Sequence, residues 1–196
     1  MKKNRPKFKQ IIDAAVIVIA ENGYHQSQVS KIAKQAGVAD GTIYLYFKNK
    51  EDILVSLFQE KMGQFVEKIE EEIKPIDSAS LKLLKLIEMH FIQLSQDHHL
   101  AIVTQLELRQ SNKELRQKIN DVLKPYLVLM DSIVQEGIDQ GIFEPNLNKR
   151  LIRQMIFGTL DEMVTNWVMK EQKYNLLEQA ETIHDLLLNG LTKRKG

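Results

Sequence analysis

Two tyrosines and a phenylalanine stand within four positions of one another in the string GTIYLYFKNKEDI, residues 41–53. If this string is helical, Ile43 and Phe47 are four residues apart and share one face. Tyr44 and Tyr46 then lie about 100° and about 60° to either side of that face. Phenol hydroxyls can hydrogen-bond to phosphates, and their rings can touch thymine methyl groups or sugars. The pattern suits either a surface that contacts duplex DNA or an amphipathic surface without a partner, and the neighbouring segments decide between them.

Neighbouring segments must hold this string in place, because a helix needs about 12–15 residues to be stable alone in water. Helical spacing of apolar residues predicts three helices in this part of the chain: 6–22, 27–36 and 40–46. Gly23 is expected to end the first, Ser27 to cap the second and Gly37 to turn the chain sharply after it. A helix, a short turn with glycine and a second helix form the helix-turn-helix layout, in which the second helix lies in the major groove.

The rest of the chain also has helical spacing, and no alternating run predicts a strand. Six further helices are predicted: 49–73, 78–96, 98–110, 111–140, 147–170 and 175–192. Asn49 is expected to cap the first of them and Ser111 to start a capping box, while Pro125 should kink the helix that contains it. We therefore predict an all-α fold, with a three-helix helix-turn-helix DNA-binding domain at 1–50 and a six-helix effector-binding and dimerisation domain at 51–196.

Charge is distributed unevenly along the chain. Residues 1–50 hold nine Lys or Arg against three acids, whereas residues 51–196 hold 18 against 23. A basic block ahead of a mildly acidic body suggests an anionic partner for the first part only. No run of about 18 apolar residues predicts a membrane span. Asp13 interrupts the one stretch that imitates a signal peptide, so the sequence predicts a cytoplasmic protein.

Several absences argue against an enzyme. The chain has no cysteine, so it offers no thiol nucleophile, thiolate metal site or disulfide. His98 and His99 are adjacent, so their side chains diverge around a helix and chelate a metal poorly. No Ser–His–Asp grouping or phosphate-cradling glycine loop is apparent. We predict no catalytic residue, no metal and no cofactor.

The string VSKIAKQAGVADGTIYLYFKNKEDIL resembles the DNA-binding signature of the TetR family of bacterial transcriptional regulators. The resemblance implies a three-helix head and a larger helical body that dimerises and binds a small molecule. Carried over position by position, the family's phosphate and base contacts fall on Gln28, Lys31, Gly41, Thr42, Tyr44, Tyr46 and Lys50. Where the family often has a capping Ser or Thr, this chain has Ala39. The cap of the recognition helix must therefore come from Asp40 or be absent.

A seven-residue recognition helix reads few bases, so two heads on a symmetric dimer are expected to read a near-palindromic operator. Its half-sites lie about 34–36 Å apart, or a multiple of that. The helix at 147–170 is apolar on more than one side, as expected if it packs both in its own bundle and against a second chain. Gly158 permits close approach of two helices. The predicted homodimer interface consists of Ile156, Leu160, Val164, Trp167, Ile183 and Leu187.

Apolar residues of the interior helices each fit an ordinary core, but as a set they can line a tunnel for a hydrophobic ligand. Arg109 and Arg116 flank the start of the helix at 111–140, whose free N–H groups favour an anion. Alternatively, Glu107 and Glu114 neutralise both arginines locally. The predicted ligand-binding residues are Met89, Ile102, Val103, Leu106, Arg109, Arg116, Leu127 and Met130.

Over the whole chain, stretches such as LAIVTQLELRQSN and RQMIFGTLDEMVTNWVM resemble TetR-type repressors of fatty-acid degradation. That resemblance, and not periodicity, implies that long-chain acyl-CoA is the inducer. Burying an acyl chain can contribute on the order of 10 kcal/mol, at about 0.8 kcal/mol per CH₂, before ordering costs. The alternative effector is a multidrug or other hydrophobic molecule, for which Glu107, Glu162 and Trp167 would supply acidic and aromatic pocket groups.

Overall fold

The computed structural model describes residues 5–191, and within that range the chain is helical and contains no strand. The helices are α1 (Arg5–Gln26), α2 (Val29–Gln35), α3 (Asp40–Ile43), α4 (Lys50–Ile73), α5 (Ala79–Gln96), α6 (His98–Glu107), α7 (Lys113–Asp139), α8 (Lys149–Met169) and α9 (Ala180–Leu191). A 3-10 turn at Leu176–Gln179 precedes α9. The predicted all-α class is confirmed. Residue 192, where the last helix was predicted to end, lies outside the described range.

The described residues form two compact units, and α4 and α7 each contribute a segment to both. The first unit holds 5–63 and 97–123, and the second holds 64–96 and 124–191. The first unit is therefore larger than the helix-turn-helix alone. The functional division at 1–50 and 51–196 stays a prediction.

A break in α1 sets the entry to the helix-turn-helix. Gly23 has φ 72° and interrupts the helical backbone, as the stop predicted there requires. Ser27 does not cap α2, because its hydroxyl donates backwards to the carbonyls of Val18 (3.1 Å) and Gly23 (2.8 Å). Gln28 occupies the N-cap position and makes no side-chain cap. The predicted serine cap is wrong because the hydroxyl satisfies the carbonyls at the break in α1.

The turn between α2 and α3 has the predicted glycine. Gly37 has φ 61°, and the backbone N–H of Val38 donates to the carbonyl of Ala33 at 3.0 Å. Ile43 and Phe47 then point inward and are almost fully buried. The ring of Phe47 stacks on Phe8 of α1, with 5.2 Å between the ring centroids. α3 is thus held by α1 and α2 through its inner face.

Side-chain caps position the longer helices. The Asn49 side chain accepts from the N–H of Asp52, and the Asp52 carboxylate accepts in return from the N–H of Lys48. This reciprocal pair confirms the predicted cap of α4. For α7 the cap is Asn112, which accepts from the N–H of Leu115 at 2.9 Å, so the predicted cap at Ser111 is one residue early. α7 continues as one helix through Pro125.

The core of the second unit is made by the inner faces of α5, α8 and α9 and by its segments of α4 and α7. Its buried residues include Leu83, Leu86, Phe91, Ile133, Leu160 and Ile183. At Gly137 of α7, the carbonyl accepts from the N–H groups of Ile142 and Phe143, and a Cβ would lie 2.2 Å from the Phe143 ring. Glycine is therefore required for the ring to pack on the α7 backbone.

Candidate DNA interface and effector-binding residues

The solvent-exposed side of the segment between α3 and α4 carries two large apolar side chains. Tyr44 is 59% exposed and Leu45 is 76% exposed, whereas the preceding residue, Ile43, is fully buried in the core. Two adjacent exposed apolar side chains make this segment a candidate contact surface for a partner. Tyr44 was predicted from the sequence, whereas Leu45 was not. Leu45 follows the inward-facing Ile43 by two residues, and in a helix this spacing places it on the side facing away from the core. That spacing could have identified Leu45 as exposed.

The amino end of α3 is open. Ala39 occupies the N-cap position, and no side chain makes a cap hydrogen bond there, so Asp40 does not supply the missing cap. Gly41 is exposed, and a Cβ built on it would have no described atom within 4 Å. Thr42 is half-buried beside it. Nothing within the described chain blocks a close approach to this backbone.

Lys50, predicted as a phosphate contact, is engaged within its own unit. Its ammonium donates to the carbonyls of Tyr24 (2.9 Å) and His25 (3.0 Å) and lies 4.6 Å from the centre of the Tyr24 ring. The residue therefore ties α4 to the end of α1. The neighbouring Lys48 is exposed and was missed, although it lies in the same basic string.

The remaining predicted DNA contacts occupy the same unit. Lys31 is exposed on α2, where its ammonium donates to the side chain of Asn22 at 3.0 Å. Gln28 is exposed at the start of α2, and Tyr46 is half-buried against Phe47, with ring centroids 6.3 Å apart. The seven predicted contacts all belong to the first unit. Their role in DNA binding stays a prediction.

Glu107, at the end of α6, has two partners in the first unit. One carboxylate oxygen accepts from the backbone N–H of Tyr24 at 2.8 Å, and the other accepts from the side chain of Gln110 at 2.7 Å. Burial, followed by the negative charges of Glu51 and Glu107, raises the pKa of Tyr24 to about 12. The end of α1 is therefore bonded to the end of α6.

The two predicted anion-binding arginines are exposed near the start of α7. Arg116 donates to the carbonyls of Gln110 (2.9 Å) and Ser111 (3.2 Å). Glu114 pairs instead with Lys118 at 2.7 Å, and that hydrogen bond and charge lower the pKa of Glu114. The alternative in which Glu114 neutralises an arginine is therefore not what the structure contains. The guanidinium of Arg116 closes the turn between α6 and α7.

The eight predicted ligand-binding residues are divided between the units. The first unit contains Ile102, Val103, Leu106, Arg109 and Arg116, and the second contains Met89, Leu127 and Met130. Val103 and Met130 are buried, whereas Leu106 is 48% exposed. Exposure of Leu106 shows that this residue is not part of the core of its own unit. The assignment of the whole set to one ligand stays a prediction.

A polar pair that the sequence analysis missed lies in the aromatic core of the second unit. His90 Nδ1 and the hydroxyl of Tyr126 are 2.8 Å apart, and the two rings stack at 22°. Burial lowers the pKa of His90 to about 3 and raises the pKa of Tyr126 well above its ordinary value. A neutral histidine within an otherwise apolar stretch of α5 was the signal in the sequence.

The predicted dimer-interface residues all face the interior of their own unit. Ile156, Leu160, Val164, Trp167, Ile183 and Leu187 are between 0% and 7% exposed. Trp167 also donates its indole N–H to the carbonyl of Tyr174 at 2.8 Å. These six side chains belong to the core of the second unit. Their contact with a second chain stays a prediction.

Other sides of α8 and α9 carry exposed apolar residues. They are Leu151, Met155 and Met169 on α8 and Leu186 on α9, and Leu186 is 69% exposed. Gly158, which lies between Met155 and Met169, is exposed with no described atom near a Cβ built on it. The α8 residues recur at helical spacing along one stripe. We name these four residues and Gly158 the outer face.

Neither a membrane-spanning helix nor a metal-binding cluster occurs in the described range. None of the helices there is long and apolar enough to cross a bilayer. Between residues 5 and 191, no group of three or more His, Cys, Asp or Glu side chains is placed to hold a metal ion.

Comparison with known proteins covers nearly the full length. Residues 11–57 match the family model "Bacterial regulatory proteins, tetR family", and residues 58–190 match "YsiA-like protein, C-terminal region". The chain is 66% identical over 191 residues to the fatty acid metabolism regulator protein of Bacillus subtilis (strain 168), covering 97% of this chain and 98% of that protein.

Two solved structures share the fold at high identity. The fatty acid degradation regulator FadR from Bacillus halodurans gives a TM-score of 0.91 at 65% identity, covering 94% of this chain and 99% of that one. FadR from Bacillus subtilis in complex with stearoyl-CoA gives a TM-score of 0.91 at 66% identity, covering 93% and 98%. All these relatives are regulators. This chain belongs to the TetR family of bacterial transcriptional regulators.

Proposed function

We propose that this protein is a transcriptional repressor that binds, as a homodimer, a near-palindromic operator of fatty-acid degradation genes and is released by long-chain acyl-CoA. The observation that carries the proposal is the 66% identity, over nearly the whole chain, to a fatty acid metabolism regulator. A FadR of the same fold and similar identity was solved with stearoyl-CoA. The protein acts in the cytoplasm, where the operator is accessible.

The exposed residues of α3 and its flanks support the DNA-binding part of this proposal. Tyr44 and Leu45 present apolar and phenolic surface that suits thymine methyl groups and phosphates in a major groove. Gly41 and Thr42 leave the backbone accessible beside them. Lys48 and Lys31 supply positive charge on the same unit, which favours the phosphate backbone. Single-head binding would be weak, so a dimer is needed for specific binding.

The outer face is the surface we assign to the second chain. Its large apolar side chains are exposed in one chain, and covering them removes apolar area from water at about 25 cal/mol per Å². Gly158 allows two helices to approach closely there. A twofold axis through this surface makes both copies contribute the same residues. The interface proposed here thus uses α8 and α9, as predicted from the sequence, but with different side chains of both helices.

The effector is proposed to bind differently to the DNA-bound and free conformations. An acyl chain entering the apolar body must displace side chains of the core, which changes the packing of the helices that carry them. The negatively charged CoA moiety suits Arg109 and Arg116, because guanidinium groups bind phosphates well. By linkage, operator DNA must weaken acyl-CoA binding by the same factor by which acyl-CoA weakens DNA binding.

The multidrug alternative has little support from the three residues on which it depended. Glu107 accepts from the backbone of Tyr24, and Glu162 accepts from the side chain of Asn166 at 2.6 Å. Trp167 is buried and bonded to the Tyr174 carbonyl. Each of these three side chains makes a hydrogen bond within its own unit. Glu107 belongs to the first unit, and Glu162 and Trp167 belong to the second.

A mobility-shift experiment tests the proposal. Promoter fragments of acyl-CoA-metabolism operons are titrated with the protein, with and without stearoyl-CoA. We expect a retarded band that stearoyl-CoA abolishes and that free CoA leaves intact. Release by free stearate but not by its CoA ester would refute the role of the two arginines, and failure to bind any such promoter would refute the repressor assignment.

Calorimetric titration tests the coupling separately. Stearoyl-CoA is titrated into the protein alone and into the protein saturated with operator. We expect the two dissociation constants to differ by the same factor that stearoyl-CoA imposes on operator binding, typically 5-fold to 150-fold. Equal constants would show that the two ligands are not coupled.

A further inference from the structure

One ring nitrogen of His90 is not bonded to Tyr126 or to any other described residue. His90 Nδ1 is occupied by the Tyr126 hydroxyl at 2.8 Å, but His90 Nε2 is buried and has no hydrogen-bond partner among the described residues. Leaving a buried polar group unsatisfied costs about 1–3 kcal/mol. Such an atom in an aromatic core calls for an explanation by function, because phenylalanine in the same place would avoid that cost.

The hydrogen-bonding options of the pair decide what the free nitrogen offers. If Nδ1 carries the proton, both the Tyr126 hydrogen and the Nε2 lone pair lack partners. If the Tyr126 hydroxyl donates to Nδ1, the neutral imidazole carries its proton on Nε2, and only that N–H is unsatisfied. The second arrangement leaves fewer donors and acceptors without a hydrogen-bond partner. His90 therefore presents a single N–H donor.

The surroundings of this donor select the kind of acceptor it can receive. The ring of Phe65 meets both His90 and Tyr126 edge-on at 5.4 Å, and Phe91 and Phe157 add edge contacts at 5.9 Å and 6.4 Å. An anion would lose its hydration among these rings at large cost. An uncharged carbonyl oxygen on an apolar chain satisfies the donor without that cost.

The geometry points to His90 Nε2–H as the hydrogen-bond donor for the thioester carbonyl oxygen of the acyl effector, with Tyr126 holding the imidazole in the required tautomer. This assignment rests on the proposed function, since it concerns the ligand proposed there. The thioester carbonyl is the uncharged polar group of a saturated acyl chain. His90 distinguishes a thioester ligand from a plain hydrocarbon, and Tyr126 is a positioning residue.

The one other buried side-chain atom without a partner in the described chain does not suit this ligand. It is Asp131 Oδ1, whose carboxylate pairs through its second oxygen with Arg153. A carboxylate oxygen is an acceptor and repels a carbonyl oxygen. The donor at His90 is therefore the group to test.

The test compares two ligands that differ at one carbon atom: stearoyl-CoA, and its thioether analogue octadecyl-CoA, in which CH₂ replaces the carbonyl group. For the unmodified protein we expect stearoyl-CoA to bind about tenfold more tightly, as one buried hydrogen bond implies. In His90→Phe the two ligands should bind equally. A preference that persists unchanged in His90→Phe would overturn the assignment, and so would equal binding to the unmodified protein, which would indicate that water satisfies the nitrogen.

Further variants keep the test decisive if His90→Phe fails to fold. Tyr126→Phe retains the imidazole but removes the group that orients it, and it should reduce the preference for the thioester. His184→Phe is the matched control, because His184 is also buried in the second unit but is bonded to Ser80. It should leave the preference intact.

Nitrogen-15 NMR of the unmodified protein gives an independent readout. The His90 Nε2–H proton should move downfield with stearoyl-CoA and not with octadecyl-CoA. No movement with either ligand, when both are bound, would overturn the assignment. If neither ligand binds the unmodified protein at all, it is the proposed function that fails, and the two failures are thereby distinguished.

Discussion

Gly137 is the residue at which one added methyl group has the clearest consequence. A Cβ there would lie 2.2 Å from Cδ2 and 2.3 Å from Cε2 of Phe143, which is far inside van der Waals contact. The Phe143 ring is buried, so it cannot move aside without disturbing its neighbours. We expect Gly137→Ala to destabilise the protein by about 1–3 kcal/mol, measured by urea denaturation.

Gly63 of α4 provides the matched control. It is exposed, and no described atom lies within 4 Å of a Cβ built on it. Gly63→Ala should raise stability by up to about 1 kcal/mol through helix propensity alone. Equal stability of the two alanine variants would contradict the packing argument at Gly137.

The buried His90 is expected to make the free energy of unfolding depend on pH. Burial lowers its pKa from 6.5 to about 3, so the folded protein keeps the imidazole neutral while the unfolded chain takes up a proton below about pH 6.5. Stability from this residue is therefore complete above pH 6.5. It is lost as pH falls towards 3, by about 1.4 kcal/mol per pH unit.

His90→Phe removes that proton uptake. Urea denaturation at pH 7, 6, 5 and 4 should show that the stability of the unmodified protein, relative to the variant, declines steadily with acid. A difference between the two proteins that is constant across these pH values would show that His90 takes up its proton equally in the folded and unfolded states, so that burial does not lower its pKa.

At the scale of elements, Lys50 links α4 to the end of α1, whereas Lys48 is exposed. Lys50→Ala removes two hydrogen bonds to backbone carbonyls, so we expect it to lower stability by about 1–3 kcal/mol as well as to weaken DNA binding. Lys48→Ala should change stability by less than about 0.5 kcal/mol. It should reduce the salt dependence of operator binding by about one unit of slope. Equal loss of stability in the two variants would contradict the structural role of Lys50.

The bond between α1 and α6 makes a second prediction at this scale. Glu107→Ala leaves the buried N–H of Tyr24 without its acceptor, which should cost about 1–3 kcal/mol. Glu107→Gln retains a side-chain oxygen and should cost less than half as much. Hydrogen exchange of the Tyr24 amide provides the measurement, and exchange should be fastest in Glu107→Ala. Unchanged exchange in that variant would show that the bond does not hold the two helices together.

For the whole molecule, the central prediction concerns assembly. Leu186→Asp places a charge on the outer face, and its desolvation in an interface is costly. We expect this variant to sediment as a monomer and to lose at least about tenfold in operator affinity, because the two half-sites can no longer be bound together. Val128→Asp is the control, since Val128 is equally exposed but lies on α7, outside the outer face. A dimeric Leu186→Asp would place the interface elsewhere.

Local signals were sufficient for most of the helices. Gly23 and Gly37 end helices because they adopt positive φ, and Asn49 caps α4 because its acceptor reaches an N–H three residues ahead. The errors were also local. Ser27 and Ser111 had the right chemistry for caps, but Ser27 bonds backwards to α1 and Asn112 caps α7 in place of Ser111. Where several polar residues compete for one helix end, the pattern cannot choose between them.

The order of residues alone determined that the chain is helical, where its turns lie and which family it belongs to, and it predicts which short segment contacts DNA. These properties depend on interactions within a few residues, or on a motif read along the chain. Tertiary structure decided that Ile156 and Trp167 are core, that Lys50 bonds to α1 and that His90 meets Tyr126. The spacing of apolar and polar residues along a helix is the same whichever neighbour those side chains contact. Only the packing of helices distant in sequence determines whether they meet their own chain, a second chain or a ligand.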